Sequence, residues 1–502
     1  MNCRVSAEAE AFFNCYKNQK KESGKISPKA MTDRHGSCTI RAEKKEITMK
    51  TKAIYIFAAF SLLLGACSAP ASDETAGKED EPEVTESAEP AESTSPQADT
   101  GASVSTDDYT LKEVVVLSRH NIRSPLTGGG SVLDTSTDHE WFSWTSNASE
   151  LSLRGGAAET MMGQYFRKWL EAEGLMTDNE MPSEEAVRFY ANAKQRTIAT
   201  ANYFSSGFLP VADVNVEYHA EYDTMDPVFN PVLTFMSDSY AKAAEAAIHE
   251  YDDAIEALAP SYELLKDVID YEQSTGCKAG SCPVFSTKDS VFTLEQGKEP
   301  SVKGTLKTAC SLADALVLQY YEEPDKVKAG FGNDLSIEDW ESISKIKDVY
   351  SEALFCSRPI AVNAANPLLK EIQSELNQEG RKFTFLCGHD SNVLTVLAAL
   401  DTEHYELPQA IEKQTPIGCK LLFEKWLNKE NEEFVRIRLV YESPDQLRDL
   451  SMVTLDSPPC SYDLSLTDME RNEDGLYRFE DVMDRFSETI AAYDQLAEDY
   501  AD

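Results

Sequence analysis

Three short stretches carry side chains that could act together on one substrate. Val114–Leu117 leads into Arg119-His120-Asn121-Ile122-Arg123. Val187-Arg188-Phe189-Tyr190-Ala191 leads into Asn192, Gln195 and Arg196, and Phe383-Thr384-Phe385-Leu386-Cys387 leads into Gly388-His389-Asp390. Each is a mainly apolar run that stops at a charged or imidazole-bearing residue. Arg119, Arg123 and Arg196 suit a phosphate dianion, because planar guanidinium forks bind its oxygens bidentately. A neutral imidazole such as His120 can attack phosphorus and form a covalent phosphohistidine, with the arginines stabilising the oxygens, and His389 falls in the same cluster. A carboxylic acid such as Asp390 can protonate the leaving alkoxide and later activate water. That inventory needs no metal and no cofactor. The chain shows neither the Asp/His spacing of a metallophosphatase nor a Gly-x-Ser-x-Gly elbow.

Taken singly, each residue has an ordinary reading. An arginine after a strand is usually a solvated loop charge, and a lone histidine is usually a satisfied surface or core group; His139, His219, His249 and His404 are read that way. The His389-Asp390 pair equally fits helix capping, with Asp390 accepting from the following amides. Repeated placement at the ends of strands is what lifts the set.

For the set to converge, the three strands must be neighbours. In an open α/β sheet, ligands bind in the crevice beyond the carboxyl ends of the strands. Helices starting near Thr197 and Ser391 would add positive potential there. From Tyr109 onward, short apolar runs alternate with helical patterns, which predicts an α/β fold. Tyr240–Leu264 and Ile337–Phe355 read as amphipathic helices.

The chain carries a formal net charge of −40, which excludes nucleic acid or an anionic membrane surface as the main partner. A phosphate site must then be a local positive pocket. Basic Met49-Lys50-Thr51-Lys52 and the apolar stretch from Ala53 to Leu64 read as a secretory signal over 49–66. That stretch is shorter than the ~20 residues that span a bilayer. Leu64-Gly65-Ala66-Cys67 resembles a bacterial lipobox, so Cys67 is the expected lipidation site and the lipid the only membrane contact. Residues 1–48 read as a leader or over-extended start, and their Arg34-His35-Gly36 follows no strand. Residues 67–108, rich in Ser, Thr, Ala, Pro, Asp and Glu, read as a disordered acidic tether. Beyond Cys67 lie seven cysteines, among which Cys277-Lys-Ala-Gly-Ser-Cys282 is a tight loop favouring a disulfide over zinc, for lack of a second close Cys/His pair.

Ser118-Arg119-His120-Asn121-Ile122-Arg123-Ser124-Pro125, taken with Gly388-His389-Asp390-Ser391-Asn392, resembles the histidine acid phosphatases, the two-domain branch of the histidine phosphatase superfamily. Most members carry Arg-His-Gly in the first motif. Asn121 instead is similar to the periplasmic glucose-1-phosphatase group, as are Ala191–Thr197, Thr224–Pro231, Leu318–Glu322 and Thr415–Gly418. The resemblance runs from Tyr109 to Asp502. It implies His120 as nucleophile, Asp390 as proton donor, and Arg119, Arg123, Arg196 and His389 as phosphate ligands. Glu299, in Lys298-Glu299-Pro300, matches a glutamate at the pocket mouth; a carboxylate there could accept a sugar hydroxyl and repel the extra phosphates of phytate. The implied fold is a large α/β domain with a central mixed sheet flanked by helices, over 109–231 and 358–502, and a smaller, mainly helical domain inserted at 232–357. The relative's short cysteine loop falls at Cys277 and Cys282. The expected function is an exported, lipid-anchored bacterial acid phosphatase, acting on small phosphomonoesters such as glucose 1-phosphate. A phytase on the same scaffold is the rival enzyme, and a phosphoryl-binding lipoprotein without turnover is the rival of another class. Nothing in the sequence sets an oligomeric state.

Overall fold

The structure, a computed structural model, describes residues 104–126, 131–210 and 213–501. The leader, the signal, Cys67 and all but the last five residues of the tether lie outside the described residues.

Ten strands are present among the described residues: β1 (Thr110–Arg119), β2 (Val187–Ala191), β3 (Val216–Glu217), β4 (Val291–Thr293), β5 (Ser301–Lys303), β6 (Phe383–Gly388), β7 (Lys420–Leu427), β8 (Glu433–Tyr441), β9 (Cys460–Asp463) and β10 (Tyr477–Arg478). Eight form one mixed sheet in the order β10-β8-β7-β1-β6-β2-β3, with β9 also on β8. β1, β6, β2 and β3 run parallel, while β7, β8, β9 and β10 are antiparallel to their neighbours.

The central strands read as continuous apolar runs because both their faces are covered. β6 is buried along its whole length, and β1 is buried from Glu113 to its end. On one face, Val114, Val116, Phe383 and Phe385 pack against helices Leu153–Ala172 and Gln195–Phe208. On the other, Val115, Leu117, Leu386 and Leu421 pack against helices Arg358–Leu376, Asp390–Ala399 and Phe479–Asp499. Each fully buried Val or Leu contributes about 1.5–3 kcal/mol, so the register between β1 and β6 is strongly fixed.

Between β3 and β6 the chain is mainly helical, with β4 and β5 forming a separate two-stranded ribbon. Helices Ala259–Val268, Thr305–Glu322 and Ile337–Phe355 build a core of their own, which also takes in Ile122 and Leu394. The Ile337 helix has the predicted bounds and begins at a capping box between Ser336 and Asp339. The pattern read as one helix over Tyr240–Leu264 is broken into Asp238–Ile248, a short turn, Asp252–Glu256 and Ala259–Val268. Pro260 at the start of the last segment ends any continuous hydrogen-bond ladder. We infer that 232–357 is the inserted domain, since that span adds no strand to the main sheet. Within it Cys277 and Cys282 are disulfide-bonded, while Cys310, Cys356, Cys387, Cys419 and Cys460 are free thiols.

Candidate active site

Strand register brings the three motifs to one place. β6 lies between β1 and β2, pairing Ser118 with Cys387, Arg119 with Gly388, and Ala191 with Cys387. The segments that follow therefore leave the sheet side by side, at the carboxyl ends of parallel strands. The helices after β2 and β6 begin at Gln195 and Asp390, a residue or two before the starts expected from sequence.

The loop carrying His120 is clamped from below. The His120 N–H donates to the Gly388 carbonyl at 3.0 Å, and the Ile122 carbonyl accepts from the Ser152 N–H at 2.9 Å. Helix Leu153–Ala172 reaches the loop only because Gly155 has no side chain; a Cβ there would lie 2.4 Å from the Ile122 carbonyl oxygen. Asn121 turns its side chain away from the pocket. Its amide donates to Glu159 at 2.9 Å and its oxygen accepts from the Ile122 N–H at 2.7 Å. Glu159 in turn pairs with Lys420 at 2.8 Å, both with no exposed side chain. Gly418, at φ +72°, sits where a Cβ would come within 2.5 Å of the Asn121 amide nitrogen.

Those contacts fix the state of His120. Its Nδ1 lies 2.9 Å from the Asn121 carbonyl, an acceptor only, so Nδ1 carries the proton and Nε2 keeps its lone pair. Burial lowers the proton affinity of the ring well below the usual imidazole range, and Arg196, His389, Arg123 and Arg119 push it lower still. His120 is thus held neutral with a defined tautomer, its Nε2 lone pair available for attack.

The phosphate-ligand candidates surround it. His389 lies edge-on to His120 with ring centroids 5.4 Å apart. Asn192 orients it: the Asn192 oxygen accepts from the Asp226 N–H at 2.8 Å, so its amide nitrogen, 2.7 Å from His389 Nε2, donates. The proton of neutral His389 is then on Nδ1, beside an Arg196 guanidinium nitrogen at 3.5 Å. Burial lowers the proton affinity of His389, with Arg196 adding to the effect. Two donors face each other with no acceptor between them, and an anion would supply one. Arg196 has no ion pair among the described residues; burial, then Arg123, pull its pKa down to about 10. Arg119, Arg123 and Arg196 each retain a buried Nε–H without a partner.

Asp390 adds a carboxylate to the cluster. One carboxylate oxygen accepts from the adjacent Ser391 N–H at 2.9 Å; Asp390 is the first helical residue and His389 the N-cap, so the capping reading of Asp390 does not hold. The other faces Lys347 at 2.9 Å and Arg119 at 3.6 Å. Burial works to raise the pKa of Asp390, but Lys347 and Arg119 outweigh it and hold the carboxyl well below its usual range. Arg119 is fixed by Glu412 at 2.6 Å and by the Thr415 carbonyl, and Arg123 by Asp314 at 3.0 Å.

Glu299 lies in the loop joining β4 to β5, which is pinned by the Leu233 N–H to the Lys298 carbonyl at 3.0 Å. The residue is exposed. Desolvation of its carboxyl raises its pKa, as does the like charge of Asp390, while Arg196, Lys307 and Lys194 act the other way, so it lies within electrostatic reach of the site.

Lys347, Asp314, Glu412 and Asn192 were not singled out as site residues by the sequence. Asn192 was visible only as part of the second strand-end motif, and Asp314 carried a signal of its own, being an acid in the apolar run Leu312-Ala313-Asp314-Ala315-Leu316. Among the described residues, no group of three or more His, Cys, Asp and Glu is arranged to hold a metal ion.

A family model described as "Histidine phosphatase superfamily (branch 2)" matches residues 110–441. The glucose-1-phosphatase of Providencia rettgeri is 39% identical over 381 residues, covering 74% of this chain and 90% of that protein. Its counterpart from Salmonella typhimurium is 38% identical over 390 residues, covering 76% and 94%. Among solved structures, the apo form of Hafnia alvei phytase superposes with a TM-score of 0.70 at 24% identity, covering 78% of this chain and 98% of that one; this likeness is one of fold.

Proposed function

The chain belongs to branch 2 of the histidine phosphatase superfamily, and from that premise we propose that it hydrolyses sugar monophosphates, glucose 1-phosphate in particular, through a phosphohistidine on His120. It is a phosphatase; the residue roles and the pocket's preference are our reading. One observation carries it: Arg196 and the Nδ1–H of His389 are neighbouring donors without an acceptor, next to a neutral His120 whose Nε2 is free.

With the phosphoryl group seated on Arg119, Arg123, Arg196 and His389, His120 Nε2 forms the P–N bond as the bond from phosphorus to the sugar oxygen breaks. The leaving oxygen takes a proton from Asp390, whose carboxyl, ionised beside Lys347 and Arg119 in the free site, gains one as the bound phosphoryl anion offsets those cations. The charge that develops on the imidazole is met at Nδ1 by the Asn121 carbonyl. A water then gives its proton to the Asp390 carboxylate and attacks phosphorus, the P–N bond breaks, and His120 returns to its neutral tautomer. Glu299 at the rim is suited to a sugar hydroxyl and unsuited to further phosphate groups. Export through 49–66 and lipid attachment at Cys67 complete the reading and rest on sequence alone.

The test compares glucose 1-phosphate, p-nitrophenyl phosphate and phytate at acid pH, with a chelator present. We expect undiminished turnover with chelator and glucose 1-phosphate favoured over phytate. Activity that the chelator removes, or phytate preferred, would overturn the reading.

A further inference from the structure

The mechanism above leaves one buried charge at the site unused. Lys347, on helix Ile337–Phe355, has a side chain only 12% exposed, and its ammonium lies 2.9 Å from Asp390, 3.3 Å from Glu412 and 3.7 Å from Asp314. Two of these acids are themselves tied to phosphate-ligand candidates, Glu412 to Arg119 at 2.6 Å and Asp314 to Arg123 at 3.0 Å. One cation is therefore the hub joining the proton donor to both arginine anchors. Burying an ammonium costs several kcal/mol unless its partners compensate. Stability alone would be met as well by an apolar side chain of similar length facing fewer acids, whereas this arrangement fixes where the Asp390 carboxyl points.

We propose that Lys347 is a positioning residue: its ammonium aims Asp390 at the leaving-group side of His120 and sets the pH range over which that carboxyl serves the reaction. The inference rests on the phosphohistidine reading. It draws on every element packed around Asp390. Lys347 comes from the Ile337 helix, Arg119 and His120 from the end of β1, Arg196 from the helix after β2, Asp314 from helix Thr305–Glu322, Glu412 from the segment before β7, and Glu299 from the loop between β4 and β5. Of the cations, Lys347 makes the shortest contact with Asp390 and acts most strongly against its protonation. Removing the ammonium leaves Arg119, His120 and Arg196 in place but raises the proton affinity of Asp390. The protonated donor then persists to higher pH.

The experiment records kcat/KM against pH for wild type, Lys347→Met, Lys347→Gln and Lys347→Arg, each checked for folding by thermal unfolding. Glucose 1-phosphate, whose alkoxide needs the proton, is compared with p-nitrophenyl phosphate, whose phenolate leaves without it. The basic limb for glucose 1-phosphate should move up by about 1 pH unit in the Met and Gln variants, as loss of a neighbouring opposite charge predicts. The limb for p-nitrophenyl phosphate should stay, and Lys347→Arg should restore the wild-type profile. An unmoved limb in a folded variant, or equal shifts for both substrates, overturns the proposal. So does failure of Met and Gln to fold while Arg folds, which would make Lys347 a stability residue. A wild-type enzyme that forms no phosphohistidine would instead overturn the reading beneath it.

Discussion

At the scale of single residues, the site depends on groups kept from satisfying one another. Arg196 and His389 are neighbouring donors that a phosphoryl oxygen would complete, and a site desolvated in this way binds an anion more strongly than exposed lysines would. His120 is neutral because its surroundings are positive and dry, so its Nε2 lone pair stays available well below the pH at which a free histidine would be protonated. In the reading proposed above, Glu299 discriminates between substrates rather than making bonds. Replacing it by lysine should raise the ratio of phytate to glucose 1-phosphate turnover by about tenfold, equivalent to about 1.4 kcal/mol between the two transition states. Steady-state kcat/KM on both substrates checks this. An unchanged ratio would remove Glu299 from the specificity determinants.

At the scale of elements, the catalytic loop is held by helix Leu153–Ala172, whose close approach depends on Gly155. Gly155→Ala keeps a helix-compatible residue yet forces a methyl against the Ile122 backbone. Destabilisation of about 1–3 kcal/mol is expected from overpacking, with loss of kcat as His120 is displaced. Chemical denaturation and kinetics on the same preparation check both, and wild-type kcat in a destabilised variant would show that the loop does not need the clamp. The elements also show why some of the site could be read from sequence and some could not. Each of the three motifs is contiguous and placed by one strand, so local patterning exposed them, and the parallel register of β1, β6 and β2 then had only one way to bring them together. Lys347 and Glu412 reach Asp390 and Arg119 through tertiary packing, Glu412 from 293 positions away. On its own helix Lys347 is indistinguishable by sequence from the solvated Lys345 two residues before it. Of the breaks in the Tyr240–Leu264 pattern, the one at Pro260 is legible in the sequence, whereas the turn at His249–Tyr251 carries no proline or glycine to mark it.

At the scale of the whole molecule, a chain of net charge −40 also buries acids that resist ionisation. Burial first, with like charges second in rank at most, pushes Glu442 up to about 8 and Asp348 up to about 7; Glu113, on β1, is raised by burial to about 8 against the pull of Lys425. The folded pKa of each lies above the unfolded one, so between the two values the native state holds a proton that the unfolded chain has lost. Stability then falls as pH rises through this window. Between pH 8 and about 6.5, where buried histidines do not yet oppose the trend, acidification should raise the melting temperature. Glu113→Gln should flatten that slope. A melting temperature that is constant or falls from pH 8 to 6.5, or a slope the variant leaves intact, would contradict the assignment.

The central claim is that phosphorus is bonded to His120 during turnover. Rapid quenching of the enzyme with phosphorus-labelled glucose 1-phosphate, in the presence of a chelator, tests it most directly. The account predicts label on the protein that is stable to base, labile to acid and located on His120, and no label on His120→Ala. Turnover by the wild-type enzyme without such a species, or full activity retained in His120→Ala, would contradict it.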